Sequence, residues 1–139
     1  ELNNEEYTAE GKAFLGVHNN ESYYYISDDG DAIGIYNIRT EESKIIIEID
    51  SEKDYMSLYE ASCGKIFYRV TDRNTSEFEV FLYSVADDKR WNITEKYEEL
   101  NISSYDAYKG KFITLVYDEK GEVIVRHSVV DESEVLGTQ

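Results

Sequence analysis

Residues 59–67 read Tyr-Glu-Ala-Ser-Cys-Gly-Lys-Ile-Phe, and residues 105–113 read Tyr-Asp-Ala-Tyr-Lys-Gly-Lys-Phe-Ile. Tyr, an acid, Ala, two variable residues, Gly-Lys and two apolar residues thus recur in the same order. Glycine tolerates the positive φ of a tight reversal, so each copy reads as a strand end, a Gly-Lys corner and the start of the next strand. A small Ala on the strand before the corner suits a crowded interior.

Working outward, segments rich in Ile, Val, Tyr and Phe alternate with short breaks of Asp, Asn, Gly and Ser. Strands are expected at 12–17, 23–27, 32–38, 44–49, 66–71, 77–85, 111–117 and 122–130. The stretches 23–40, 66–85 and 112–130 each read as strand, polar turn, strand. Shorter pieces precede them at 13–18, 55–62 and 102–108, and follow them at 44–49, 90–94 and 134–137. Four strand-like pieces per unit, starting equivalently at Tyr23, Ile66 and Phe112, form repeats of approximately 12–50, 55–95 and 101–139. Self-similarity at this period with four strands per unit is the mark of β-propeller blades.

Gly64-Lys65, Gly110-Lys111 and Trp91-Asn92-Ile93-Thr94 resemble the repeats of TolB-like β-propellers, whose inner corner reads Ser-x-Asp-Gly-Lys. Cys63 and Lys109 stand where that corner has Asp, and the first unit has Asn20-Glu21-Ser22 in place of Gly-Lys. The resemblance implies an all-β fold of three four-stranded antiparallel blade-like repeats in a single domain, 1–139. Propellers close with four to eight blades, so three imply part of a longer chain or a ring completed by dimerisation. The alternative is an antiparallel β-sheet domain with one or two short helices. Ser51 and Asp54 are spaced like a capping box ahead of Tyr55, Leu58 and Tyr59, and 94–100 has room for a helical turn or two.

Charge narrows the partners. Thirty Asp and Glu against 14 Lys and Arg give a formal net charge of −16. Such a surface repels nucleic-acid phosphates and anionic lipid. No apolar run approaches the ~20 residues that span a bilayer. The chain opens Glu1-Leu2-Asn3 without an initiator Met, as expected of a mature or excised piece of a longer precursor. Cys63 is the single cysteine, so no intramolecular disulfide can form.

Chemistry-bearing groups are sparse. Asp28, Asp29 and Asp31 surround Gly30 and are the candidate metal ligands, for Ca²⁺, although Asp-Gly turns form for backbone reasons alone. His18 is expected to be exposed. His127 is expected to be part-buried with Val123, Val125 and Val129. Ser128, His127 and Asp131 do not make a triad, because adjacent strand residues face opposite ways. Cys63 is expected to be a passive thiol in a turn. Trp91 is expected to pack on an outer strand. Four Asn residues (Asn20, Asn74, Asn92 and Asn101) begin N-x-[ST], which marks polar loops.

Tyrosine is the distinctive residue: 13 in all, three of them consecutive at 23–25. Its rings fill half-buried strand positions and also offer flat contact area at low entropy cost. Tyr23, Tyr25, Tyr36 and Tyr108 are the candidate ligand-binding residues. The expected function is a non-catalytic binding module, secreted or on a bacterial cell surface, engaging a protein or glycan partner. Alternatives are an accessory propeller segment of a larger hydrolase or peptidase, and a structural spacer of a surface lipoprotein. No cofactor is expected beyond the candidate Ca²⁺.

Overall fold

The computed structural model describes residues 12–137, and the other positions of the expected domain lie outside the described residues. The strands fall into three antiparallel sheets in chain order. The first holds β1 (Lys12–Asn19), β2 (Ser22–Ser27), β3 (Ala32–Asn37) and β4 (Ser43–Glu48). The second holds β5 (Asp54–Ser62), β6 (Lys65–Asp72), β7 (Phe78–Ser84) and β8 (Lys89–Asn92). The third holds β9 (Ile102–Asp106), β10 (Lys111–Tyr117) and β11 (Ile124–Asp131). Helix α1 (Thr94–Glu99) links β8 to β9, and α2 (Glu132–Leu136) follows β11. Within each sheet every strand pairs with its sequence neighbour, so each sheet is a simple meander.

The strand expected at 55–62 forms, and the helical alternative there does not: Tyr55 pairs with Thr71 and Met56 with Val70 along β6. Cross-strand pairing there satisfies the backbone while placing Met56 and Leu58 against the core, which overrides a short local helix signal. At the other end, 134–137 is not a fourth strand. Residues 134–136 belong to α2, whose Val135 is buried against Ile102, Tyr105 and Phe112, and Gly137 follows as its cap. One helical turn caps that core where an edge strand would leave Val135 outside it.

The middle sheet has no polar face, because its central strands alternate between two cores. Ile66, Tyr68, Phe81 and Tyr83 pack against Tyr24, Ile33 and Ile47 of the first sheet. Phe67, Val80 and Leu82 pack against Ile102, Tyr105 and Phe112 of the third. Strands buried on both faces read as unbroken apolar runs, as Ile-Phe-Tyr and Val-Phe-Leu-Tyr do. Aromatic geometry adds to area burial: Phe67 meets Phe112 edge-on at 5.5 Å, and Tyr68 stacks on Phe81 at 5.4 Å. Such pairs are worth about 0.5–1.5 kcal/mol each beyond burial.

Among the described residues, the first strands of the three sheets approach one another, β1 beside β5 and β5 beside β9. Farther out the layers part, leaving a cleft of about 300 Å³ between Ile46 and Glu48 of β4 and Tyr83 and Arg90 of the second sheet. The Gly-Lys corner at the inner edge is a two-residue hairpin with Ser62 opposite Lys65, and Cys63 and Gly64 sit at φ 50° and 79°. Two consecutive positive φ values define the type I′ turn that suits strand twist.

Close approach of β1 to β5 depends on Gly16, where a Cβ would run into the carbonyl oxygen of Ala61. Backbone cannot swing aside as a side chain does. Gly16→Ala is therefore expected to cost about 1–3 kcal/mol of stability, read as a lowered urea-unfolding midpoint. An unchanged midpoint would mean that the two strands are not in contact.

Candidate functional site

Strand alternation places Phe14, Tyr23, Tyr25 and Tyr36 together on the outer face of the first sheet, away from the second. The register fixes this: Phe14 lies opposite Tyr25, Tyr23 opposite Tyr36, and Tyr25 opposite Gly34. Without a side chain on Gly34, the Tyr25 ring lies flat over β3, which explains why Tyr25 is only 4% exposed. Tyr25 is thus the floor of the face rather than an open contact. Tyr23 and Tyr36 are half-buried beside it. Phe14 tilts onto Tyr36 at 5.7 Å and meets Tyr23 edge-on at 6.2 Å. The Lys12 ammonium lies 5.2 Å from the Tyr25 ring centre and 5.9 Å from that of Tyr36, in range for cation–π attraction. Val17 and Ile45, each about half exposed (53% and 52%), widen the apolar surface.

Tyr108 is not part of this group. It stands 85% exposed in the turn between β9 and β10, where Gly110 N–H closes onto the Asp106 carbonyl at 2.8 Å. Three of the four candidate tyrosines therefore share one face, and the fourth lies on a different sheet. Lys12, Phe14, Val17 and Ile45 escaped sequence reasoning; simple alternation sets Phe14 and Val17 on opposite faces, and a bulge between Phe14 and Gly16 brings them onto one.

The candidate metal ligands serve the turn between β2 and β3. The Ser27 hydroxyl donates to the Asp31 carboxylate at 2.8 Å and accepts from Ala32 N–H at 3.1 Å, while Gly30 N–H donates to the Ser27 carbonyl at 2.9 Å. Among the described residues no three His, Cys, Asp or Glu side chains converge as a metal site would require. An acid-lined hollow of about 390 Å³ beside Asp54, Asp72 and Glu77 has a similar character. There the N–H groups of Thr75 and Asn74 hold the Asp72 carboxyl below its usual range.

Both histidines differ from expectation. His127 is exposed, because it faces outward from β11 opposite Leu115 while Ser128 faces Thr114 on the other side. His18 is half-buried, and its Nδ1 lies 2.8 Å from the Tyr24 hydroxyl. That hydroxyl accepts from the Gly64 N–H of the inner corner at 2.9 Å. Its proton is then directed to Nδ1 of neutral His18, a relay that joins the first two sheets. Burial lowers the His18 pKa below its ordinary value and raises that of Tyr24 to about 12. A matching seam joins the second and third sheets, where the Tyr105 hydroxyl donates to Glu132 at 3.1 Å and Lys65 faces the same carboxylate at 3.6 Å. Burial, then the Glu132 charge, pushes the Tyr105 pKa up. Cys63 is exposed in its turn, and Trp91 is half-buried against the core of the second and third sheets with Lys89 over its ring at 4.9 Å.

What the geometry offers is contact area: an aromatic face with an apolar rim, and polar seams committed to holding sheets together. The His18 seam has a pH signature. A histidine whose folded pKa is depressed binds fewer protons folded than unfolded, so its stabilising share is full at high pH and falls away as pH drops through the unfolded value of ~6.5. His18→Gln should flatten the slope of unfolding free energy between pH 7.5 and 5.5 relative to the parent. Equal slopes in parent and His18→Gln would refute the relay. No family model, curated protein or solved structure matches the chain.

Proposed function

We propose that this chain is a non-catalytic binding module of propeller type, secreted or on a bacterial cell surface, whose aromatic face on the first sheet is a protein-contact surface. One observation carries the reading. In a chain with 30 acidic side chains, Phe14, Tyr23, Tyr36, Val17 and Ile45 gather on one face and lie open to solvent in whole or part. A contiguous apolar face rimmed by polar turns is how soluble proteins present a partner surface. Aromatic anchors at the centre of such a patch supply most of the binding energy. A protein suits it better than a sugar, because aliphatic Val17 and Ile45 extend the contact area beyond the rings on which a sugar would stack.

The propeller element is supported by three consecutive meanders whose first strands draw together while the outer strands part. It is further supported by the TolB-like corners at Gly64-Lys65 and Gly110-Lys111. The described residues contain no helix long and apolar enough to cross a membrane.

Replacing Tyr36 with a photo-crosslinking phenylalanine derivative in the full chain tests the face directly. On irradiation in the producing cells, a discrete cross-linked polypeptide is expected from position 36, and none of the same mass from exposed Thr40. Adding Ile45→Lys should reduce the yield several-fold. Identical products from both positions, or none from position 36, would overturn the reading.

A further inference from the structure

We infer that the occupant of the aromatic face is the third sheet of a second copy of this chain, so that two copies close a ring of six sheets. The inference rests on the contact-surface reading above and specifies its partner.

Corresponding positions in the three meanders point the same way. Tyr24 and Ile35 are partners across β2 and β3, and Tyr24 is buried against the second sheet. Phe67 and Leu82 are partners across β6 and β7 and are buried against the third sheet. Ile113 and Val129 are partners across β10 and β11 in the same relation. Each pair faces the next sheet along the chain, but no sheet lies beyond the third among the described residues, and Val129 is left 60% exposed.

Backward-facing pairs follow the same rule. Ile66 with Tyr83 faces the first sheet, and Phe112 with Val130 faces the second. Tyr23 with Tyr36, the equivalent pair in the first sheet, has no sheet before it among the described residues. Among those residues, forward and backward faces are therefore mated twice, and one of each remains open. End units of stacked repeats ordinarily carry polar caps, yet here apolar side chains stand on both end faces, Tyr23, Tyr36 and Ile45 on one and Ile113, Leu115 and Val129 on the other.

A forward face of one copy on the backward face of another continues a packing that the chain already makes. Such a contact is heterologous, and it closes only if the rotation per sheet completes a circle. First strands that meet, β1 with β5 and β5 with β9, together with the cleft that opens between β4 and the second sheet, supply that rotation. Propellers close with about four to eight sheets, and six is the multiple of three in that range. The same pairing then occurs twice about a twofold axis, leaving no open end.

Sedimentation equilibrium of the full chain is expected to give twice 16.2 kDa at micromolar concentration. Ile45→Lys on the backward face, or Val129→Glu on the forward face, breaks both contacts of the ring at once. Each should raise the dimer dissociation constant roughly tenfold or more without altering the far-ultraviolet dichroism, since both side chains are at least half exposed. Mixing the two variants restores one unmodified contact and sets Lys against Glu in the other, so a mixed dimer should reappear. In the cross-linking experiment, the peptide joined to position 36 should come from β11 of the other copy.

A parent chain that stays monomeric overturns the inference, as does a dimer that survives either substitution. A dimer lost in Ile45→Lys but kept in Val129→Glu would mean two aromatic faces packed on each other and also overturns it. A cross-link from position 36 to a different polypeptide removes the second copy as occupant while leaving the contact surface in place. Absence of any cross-link removes both.

Discussion

The whole structure depends on burying both faces of one sheet. Ile66-Phe67-Tyr68 and Val80-Phe81-Leu82-Tyr83 have no side that can face water, so the second sheet requires a cover on each side. The first sheet covers one side with Tyr24, Ile33 and Ile47, and the third covers the other with Ile102, Tyr105 and Phe112. Fully burying such a side chain is worth about 1.5–3 kcal/mol, an amount that turn chemistry at the surface does not approach. The order of sheets in space follows the order in the chain because each meander is local and the link to the next is short.

Polar chemistry is arranged around that constraint. His18, Tyr24 and Gly64 tie the first sheet to the second at the inner corner, and Lys65, Glu132 and Tyr105 tie the second to the third. Both seams use a buried tyrosine hydroxyl, a group that carries an apolar ring into the core and still needs a partner. The high tyrosine content thus has two physical uses. Tyr24, Tyr68, Tyr83 and Tyr105 are core rings, while Tyr23 and Tyr36 form part of a surface. Helix α2 departs from the four-strand plan, because Val135 seals the core between the second and third sheets and Glu132 completes a seam. Under the proposed pairing, the covering of sheets by sheets continues from one copy to the next.

Strand positions and both Gly-Lys corners were legible in the sequence, since β-branched and aromatic runs separated by Gly and Asp carry their own local signal. The helix over 94–99 was foreseen only in the alternative reading, as room for a helical turn or two at 94–100. The strand at 54–62 was ambiguous because Tyr55, Leu58 and Tyr59 satisfy a helical spacing as well as a sheet, and pairing with β6 decided it. Three of the four candidate tyrosines proved to share a face, which alternation within 23–25 and the hairpin turn at Gly30 together imply. His18 could not be placed, because its burial depends on Tyr24 meeting a corner 40 residues later. Tyr25 could not be recognised as a floor, because that follows from Gly34 lying opposite it.

By itself, the sequence determined most of the strands and the acidic, phosphate-repelling surface, because backbone preference and net charge are local or additive properties. It also determined which residues alternate across each strand. Which of the two alternating sets would be covered was decided only when the sheets stacked, since burial depends on what lies on the other side. Tyr23 and Ile66 begin equivalent strands, yet one is half-buried and the other sealed. The difference comes from a neighbouring sheet that, among the described residues, one has and the other does not.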